Sequence, residues 1–240
     1  MSPQTHARIY RCLDGLQSCL HPQRQRFRQT LLEIIEASHR DWPSADYGAG
    51  YLYQSSPRLG LRGFRHTDAR LRSMAIGAEL AGRRVLEIGC NSGFLSLELA
   101  AGTQRLLGFD NNPFLIRIAV LAQAELSGMG QVEFRVDTVE AFASDERFDV
   151  VLSFANHSTW DGNMTLPLQA YFAKLQTLLL PAGVLYFESH HPALESRQQL
   201  AQTLQVLGEY FAIESQRELS EGSAWDRGRC FVKARSLRVA

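Results

Sequence analysis

From Arg84 onward the chain alternates between two kinds of apolar segment, and this restricts the fold more than any other feature. The short runs RVLEI, RLLGFD, QVEFRVD, FDVVLSF and GVLYFES have the length and branched side chains of buried strands. The longer segments SGFLSLELAAG, NPFLIRIAVLAQAELSG, LPLQAYFAKLQTLLL and ESRQQLAQTLQVLG place apolar residues three and four apart, the helical period. In the second of these, Asn112 stands as N-cap with Pro113 at the first helical position. The third is closed by the Pro and Gly of residues 181–183, and TVEAFAS reads as a short helix after the third strand. Two last strands, FAIESQREL and RCFVKARSL, have no helical pattern between them, so one is expected to run antiparallel. Strand–helix alternation at this spacing makes right-handed βαβ units. The expected fold class is α/β, a doubly wound, mostly parallel seven-stranded sheet.

The chain before Arg84 reads differently. Residues 5–40 carry two helical patterns separated by His21 and Pro22. Residues 41–74 are rich in Gly, Pro, Tyr and Arg, which reads as a long irregular lead-in ending in a short helix that starts near Thr67 or Asp68. The expected division is a helical extension with a lid-like segment over 1–74 and a core over 75–240. Formal net charge is zero, so no overall field draws nucleic acid or membrane. The distribution is uneven, however, with eleven arginines against six acids in residues 1–73. The four cysteines, Cys12, Cys19, Cys90 and Cys230, form no CxxC pair and no disulfide-like framework. The start MSPQTHARIYRC lacks the apolar core of a signal peptide, and no apolar run nears the ~20 residues of a membrane span. A cytoplasmic protein with no membrane partner is expected.

In a doubly wound sheet, ligands bind at the carboxyl ends of the strands, where strand order switches. The first strand ends there in VLEIGCNSGFLSLELA. Gly89 and Gly93 allow close backbone approach, and Asn91 tolerates left-handed dihedrals. The dinucleotide pattern G-x-G-x-x-G is absent: the spacing differs and the middle glycine is missing. Glu87 just before the turn would repel a pyrophosphate and attract an amino group.

On these residues the chain resembles the class I S-adenosylmethionine-dependent methyltransferases, whose first motif EIGCNSG matches apart from Asn91 at the middle glycine position. The resemblance spans about residues 75–237 and implies a Rossmann-like methyltransferase fold with S-adenosyl-L-methionine as cofactor. It implies that Asp110, closing the second strand, takes the ribose hydroxyls, and that Asn111 lines the adenine. Asp137 in VDTVE falls where the family often binds the adenine amino group, with Thr138 beside it. FDVVLSF, ending in Phe154, and LLPAGVLYFES match the fourth and fifth strand motifs.

The acceptor is expected beyond the fourth and fifth strands. Asn156, His157, Ser158, Trp160 and Asp161 follow the fourth; Glu188, His190 and His191 follow the fifth. His157 is the first candidate for a general base, because imidazole titrates near neutrality; Glu188 and His190 are further catalytic candidates. The adjacent His190 and His191 point apart on extended backbone, so one is expected to face the pocket. The spacing of these groups fits no recognised metal pattern, and no metal is assigned. Tyr53 and Gln54 are expected to close over the cofactor, with Arg65 or Arg70 meeting a carboxylate through the planar guanidinium fork. The lead-in YLYQSSPRLGLRGFRHTDAR is loosely similar to segments preceding the core in tRNA wobble-uridine carboxymethyltransferases. The expected activity is methyl transfer to an oxygen or nitrogen of a small molecule. An RNA-modifying methyltransferase and a non-catalytic cofactor-binding scaffold stand as alternatives.

Overall fold

The computed structural model describes residues 2–19, 21–42, 47–128, 130–158 and 163–238. Its seven strands are β1 (Arg84–Ile88), β2 (Arg105–Asp110), β3 (Val132–Val136), β4 (Phe148–Phe154), β5 (Leu179–Glu188), β6 (Phe211–Glu218) and β7 (Cys230–Ser236). They form one sheet in the order β3-β2-β1-β4-β5-β7-β6. The pairs from β3 across to β5 are parallel, and β7 is antiparallel to both β5 and β6. Strand order therefore switches between β1 and β4, which opens a crevice at their carboxyl ends.

The helices are α1 (Pro3–Cys19), α2 (Pro22–Asp41), α3 (Thr67–Met74), α4 (Gly77–Leu80), α5 (Phe94–Ala100), α6 (Pro113–Glu125), α7 (Leu168–Leu178) and α8 (Arg197–Tyr210). Two starts are fixed by side chains. Asn112 Oδ1 accepts from Phe114 N and Leu115 N above Pro113, and Ser196 with Gln199 forms a reciprocal capping box. Side chains alternate across each strand. Leu86 and Ile88 pack under α7 and α8 against Tyr171, Phe172 and Leu207, while Val85 faces Leu95 and Leu99 of α5. Glu87 shares the face of Val85, which turns a carboxyl toward α5.

TVEAFAS is not a helix. Phe142 N bonds to Thr138 O (2.9 Å) and Ala141 N to Thr138 Oγ1, which closes a single turn over residues 138–141. Phe142 is drawn down to stack on Phe109 with ring centroids 4.7 Å apart, and one turn fixes too few bonds to propagate alone.

The N-terminal helices share a core with the sheet layer. Phe27, Leu31, Ile34 and Ile35 of α2 pack in one cluster with Leu97 of α5 and Ile118 and Ala122 of α6. The lead-in is knit by its own bonds. Ser55 N reaches Arg65 O, Arg65 N reaches Tyr53 O, and Thr67 bonds to Ser55 through both its amide and its hydroxyl. Buried Asp14 of α1 accepts from Tyr51 Oη (2.9 Å) and Arg62 N (2.8 Å), tying this segment to the first helix.

Candidate active site

Gly89, Asn91 and Gly93 all adopt left-handed backbone, with φ of 64°, 55° and 70°. The two glycines serve different contacts. A Cβ on Gly89 would lie 2.3 Å from Asn156 Oδ1, and the Asn156 amide donates to Ile88 O, so the turn is braced from the end of β4. A Cβ on Gly93 would meet Ala119 Cβ at 2.6 Å and the Phe134 ring at 2.8 Å, so this glycine lets α5 sit close to α6 and β3. Gln54, buried in the lead-in, locks the same turn. Its Oε1 accepts from Phe94 N (3.2 Å) and its Nε2 donates to Cys90 O (3.4 Å).

Asp110 is held by backbone. Its Oδ2 accepts from Asn91 N (2.9 Å) and its Oδ1 from Asn112 N (3.0 Å), which fixes the carboxylate where it lines the crevice. Glu87 is 2% exposed and accepts from Ser96 Oγ. Burial pushes its carboxyl up to about 7, with Ser96 and Arg70 opposing and Asp110 adding to the rise. No cation lies within ion-pair distance of it among the described residues.

The crevice is a cavity of about 700 Å³, within the ~300–1,000 Å³ of small-molecule sites. Glu87, Gly89 and Asn91 line it from the first turn, and Asp110 and Asn111 from the second. Asp137 and Thr138 line it from beyond β3, Phe154 from β4, and Tyr53 and Arg70 from the lead-in. Gly93 stands outside the lining.

A buried charge network forms the wall nearest β5. Arg65 Nη2 reaches Glu188 Oε1 (2.8 Å) and its Nε reaches Asp226 Oδ1 (2.5 Å). Arg70 Nη2 lies 3.1 Å from Glu188 Oε2, and its Nε 3.5 Å from Asp226 Oδ1. Arg229 Nη1 lies 3.3 Å from Glu188 Oε1. Burial opposes the Glu188 charge, but Arg65, Arg70 and Arg229 hold its carboxyl down at about 2. Sequence reasoning missed Asp226 and Arg229. The signal was the charged turn DRGR just before a strand, and it gains meaning only once β7 is seen to pair with β5.

The histidines separate. His157 is 2% exposed and outside the cavity lining. Its Nε2 lies 2.9 Å from Glu195 Oε1, and its Nδ1 has no hydrogen-bond partner among the described residues. His190 lines the cavity. Its Nε2 sits 2.6 Å from the Ser158 carbonyl, which only accepts, so the neutral ring carries its proton there and keeps a lone pair on Nδ1. Burial, followed by the adjacent His157 ring at 4.7 Å between centroids, lowers His190 to about 4. His191 turns instead to the Ala224 carbonyl. Trp160 and Asp161 lie outside the described residues. Among the described residues, no group of three or more His, Cys, Asp or Glu is placed to hold a metal.

Residues 79–226 match a family model described as a methyltransferase domain. A ubiquinone biosynthesis O-methyltransferase of Xanthomonas euvesicatoria pv. vesicatoria is 32% identical over 138 residues, 57% of this chain and 52% of that protein. One from Xanthomonas campestris pv. campestris is 30% identical over 191 residues, 78% of this chain and 70% of that protein. The chain thus spans about half the length of the first relative and more of the second. Among solved structures, the N-methyltransferase NodS from Bradyrhizobium japonicum in complex with S-adenosyl-L-homocysteine shares the fold. Its TM-score is 0.57 at 19% identity, over 70% of this chain and 85% of that one. With the switch-point cavity and the acid-tipped β1 and β2, these matches show that the chain belongs to the class I S-adenosylmethionine-dependent methyltransferases.

Proposed function

We propose that the chain is an S-adenosylmethionine-dependent methyltransferase that methylates an oxygen of a small molecule. The observation that carries this is the pair of carboxyls at the switch point. One is Asp110, anchored by two backbone amides and lining the cavity; the other is Glu87, buried and without a cation within ion-pair distance among the described residues. The first suits the two hydroxyls of a ribose, the second an ammonium. Asn111, Asp137 and Thr138 then line the adenine, Phe154 and Tyr53 wall the sulfonium end, and Arg70 takes the amino-acid carboxylate. Gly89 keeps the approach to the backbone free of a Cβ. The residues fit the group.

The bound cofactor supplies an electrophilic methyl on a positively charged sulfur. An acceptor hydroxyl placed before that methyl would have to give up its proton to a group of the protein. His190 Nδ1 takes the proton, with the tautomer set by the Ser158 carbonyl. His157 acts through Glu195, whose other oxygen accepts from His190 N at 2.9 Å, and so positions the base. Glu188 serves as counter-charge to the arginines, because a carboxyl held at about 2 does not move protons near neutrality.

The O-methyltransferase relatives and the neutral imidazole of His190 support an oxygen acceptor. An RNA substrate is disfavoured. The arginine surplus of residues 1–73 is partly internal, with Arg65 and Arg70 buried and Arg62 paired with Asp14. The four free cysteines support a reducing, cytoplasmic setting. No helix among the described residues is long and apolar enough to cross a membrane.

Calorimetry with S-adenosylhomocysteine tests the reading. Asp110→Ala removes a charge-assisted contact worth about 1.5–3 kcal/mol in all, so affinity should fall roughly 10- to 150-fold. Unchanged affinity in a folded variant refutes the assigned role.

A further inference from the structure

Three arginines are clustered in one part of the cavity wall, and the acids paired with them are fewer. Arg65, Arg70 and Arg229 keep 2%, 2% and 3% of their exposure, and all three line the cavity. Among the described residues, only Glu188 and Asp226 lie within ion-pair distance of them. Three buried cations therefore share two buried anions. Glu87, Asp110 and Asp137 line the cavity from the ends of β1, β2 and β3, and none forms an ion pair with these arginines; Glu87 is bonded by Ser96. An uncompensated buried charge is costly, and a pocket is where an incoming ligand can neutralise it.

Arg229 is the member left over. Its Nε donates to Trp225 O (2.6 Å), and its Nη1 donates to Ser189 O (3.1 Å) and meets Glu188 Oε1, an oxygen it shares with Arg65. Its Nη2 has no partner among the described residues. Burial, then repulsion from Arg65, lowers its pKa. Glu188 divides the network, with Oε2 facing Arg70 and Oε1 facing Arg65 and Arg229. Arg70 stands on the cofactor side, close enough to Glu87 to act on its charge. Arg229 precedes β7, on the far side of β5 from β1, and its charge is felt at His190. Trp225 and Leu194 line the same end of the cavity with apolar surface.

We propose that Arg229 anchors a carboxylate on the acceptor, so that the substrates are small hydroxy-acids whose apolar body lies toward Trp225 and Leu194 and whose hydroxyl lies toward His190. A carboxylate there supplies the missing anion, and the open Nη2 offers it a donor. The proposal rests on the methyltransferase reading. The competing source of a carboxylate is the cofactor's own amino-acid end.

The test loads the protein with S-adenosylhomocysteine and titrates a panel of hydroxybenzoates and hydroxycinnamates against the corresponding amides, which keep the shape and lose the charge. The expected result is that at least one acid binds about tenfold or more tightly than its amide. Arg229→Gln should erase that preference and leave affinity for S-adenosylhomocysteine within about twofold. Arg229→Lys, which keeps the charge but loses the fork, should retain part of it. Equal binding of acid and amide across the panel, or no binding of any acid, overturns the proposal. So does an Arg229→Gln loss that falls on S-adenosylhomocysteine, because the carboxylate then belongs to the cofactor. The parent comparison needs no variant, so a substitution that fails to fold does not shelter the idea. If the parent does not bind S-adenosylhomocysteine at all, the methyltransferase reading itself fails, and that result is seen before any acid is added.

Discussion

Glu188→Gln removes one negative charge from the centre of the arginine network and keeps the side chain's shape. In the folded protein this carboxyl sits at about 2 against an ordinary 4.5, with burial opposing the arginines that hold it there. At ~1.4 kcal/mol per pH unit, that gap corresponds to about 3 kcal/mol of folding stability. The figure agrees with the roughly 3–5 kcal/mol lost when one partner of a buried pair is removed. The assay is urea unfolding at pH 7, followed by two probes, with the denaturant slope checked for constancy. The pH dependence has a definite sign. A carboxyl depressed on folding stabilises fully above its unfolded value of 4.5, and that contribution fades as pH falls toward 2. The stability gap between parent and variant should therefore close over that window. A gap below about 1 kcal/mol at pH 7, or one indifferent to acid, would refute the reasoning, because the network would then be too well solvated to hold Glu188 as described.

Gly93→Ala combines left-handed strain of ~1–2 kcal/mol with overpacking of ~1–3 kcal/mol against Ala119 and Phe134. Thermal unfolding should show a marked fall, while cofactor affinity of the folded fraction stays near that of the parent; an unchanged melting temperature contradicts the packing role. Glu87 is raised to about 7 by burial, so its contribution to stability declines as pH rises from 4.5 to 7, and Glu87→Gln should be more stable than the parent at pH 8. Binding of an ammonium beside Glu87 should release a proton near pH 6. Calorimetry in buffers of different ionisation enthalpy reads this, and a parent that releases no more than Glu87→Gln counts against the assignment. His190→Gln should lower kcat by roughly 10²–10⁴-fold. Because burial and His157 place His190 near 4, the acid limb of kcat in the parent should lie well below pH 6.5; a limb at or above 6.5 points to another base.

The sheet was legible because its central strands are short, mostly apolar runs and the helices between them are periodic, with Asn112 and Pro113 marking a start in plain view. TVEAFAS misled because Phe142 serves the core from a turn, and a single turn has no periodicity to betray it. The cavity lining by β1, β2 and β3 could be read because its residues sit at fixed offsets from strand ends, as Glu87, Asp110 and Asp137 do. The lining beyond β4 and β5 could not. His157 and His190 look equivalent in the sequence, yet the pairing of His157 with Glu195 draws one inside while the other lines the cavity. Gln54 lines the cavity and also bonds the first amide of α5, a second role hidden in the sequence because Phe94 is forty residues away.

Arg65 finds its anion in Asp226, a partner 161 positions further along the chain. At the ~5–20 residues per second of ribosomal synthesis, that delay is roughly 8–32 s. Throughout that interval the emerging polypeptide carries Arg65 without Asp226 to meet it. The roof over the crevice cannot be nailed down until Asp226 has left the tunnel, so the ability to hold a ligand waits on that segment.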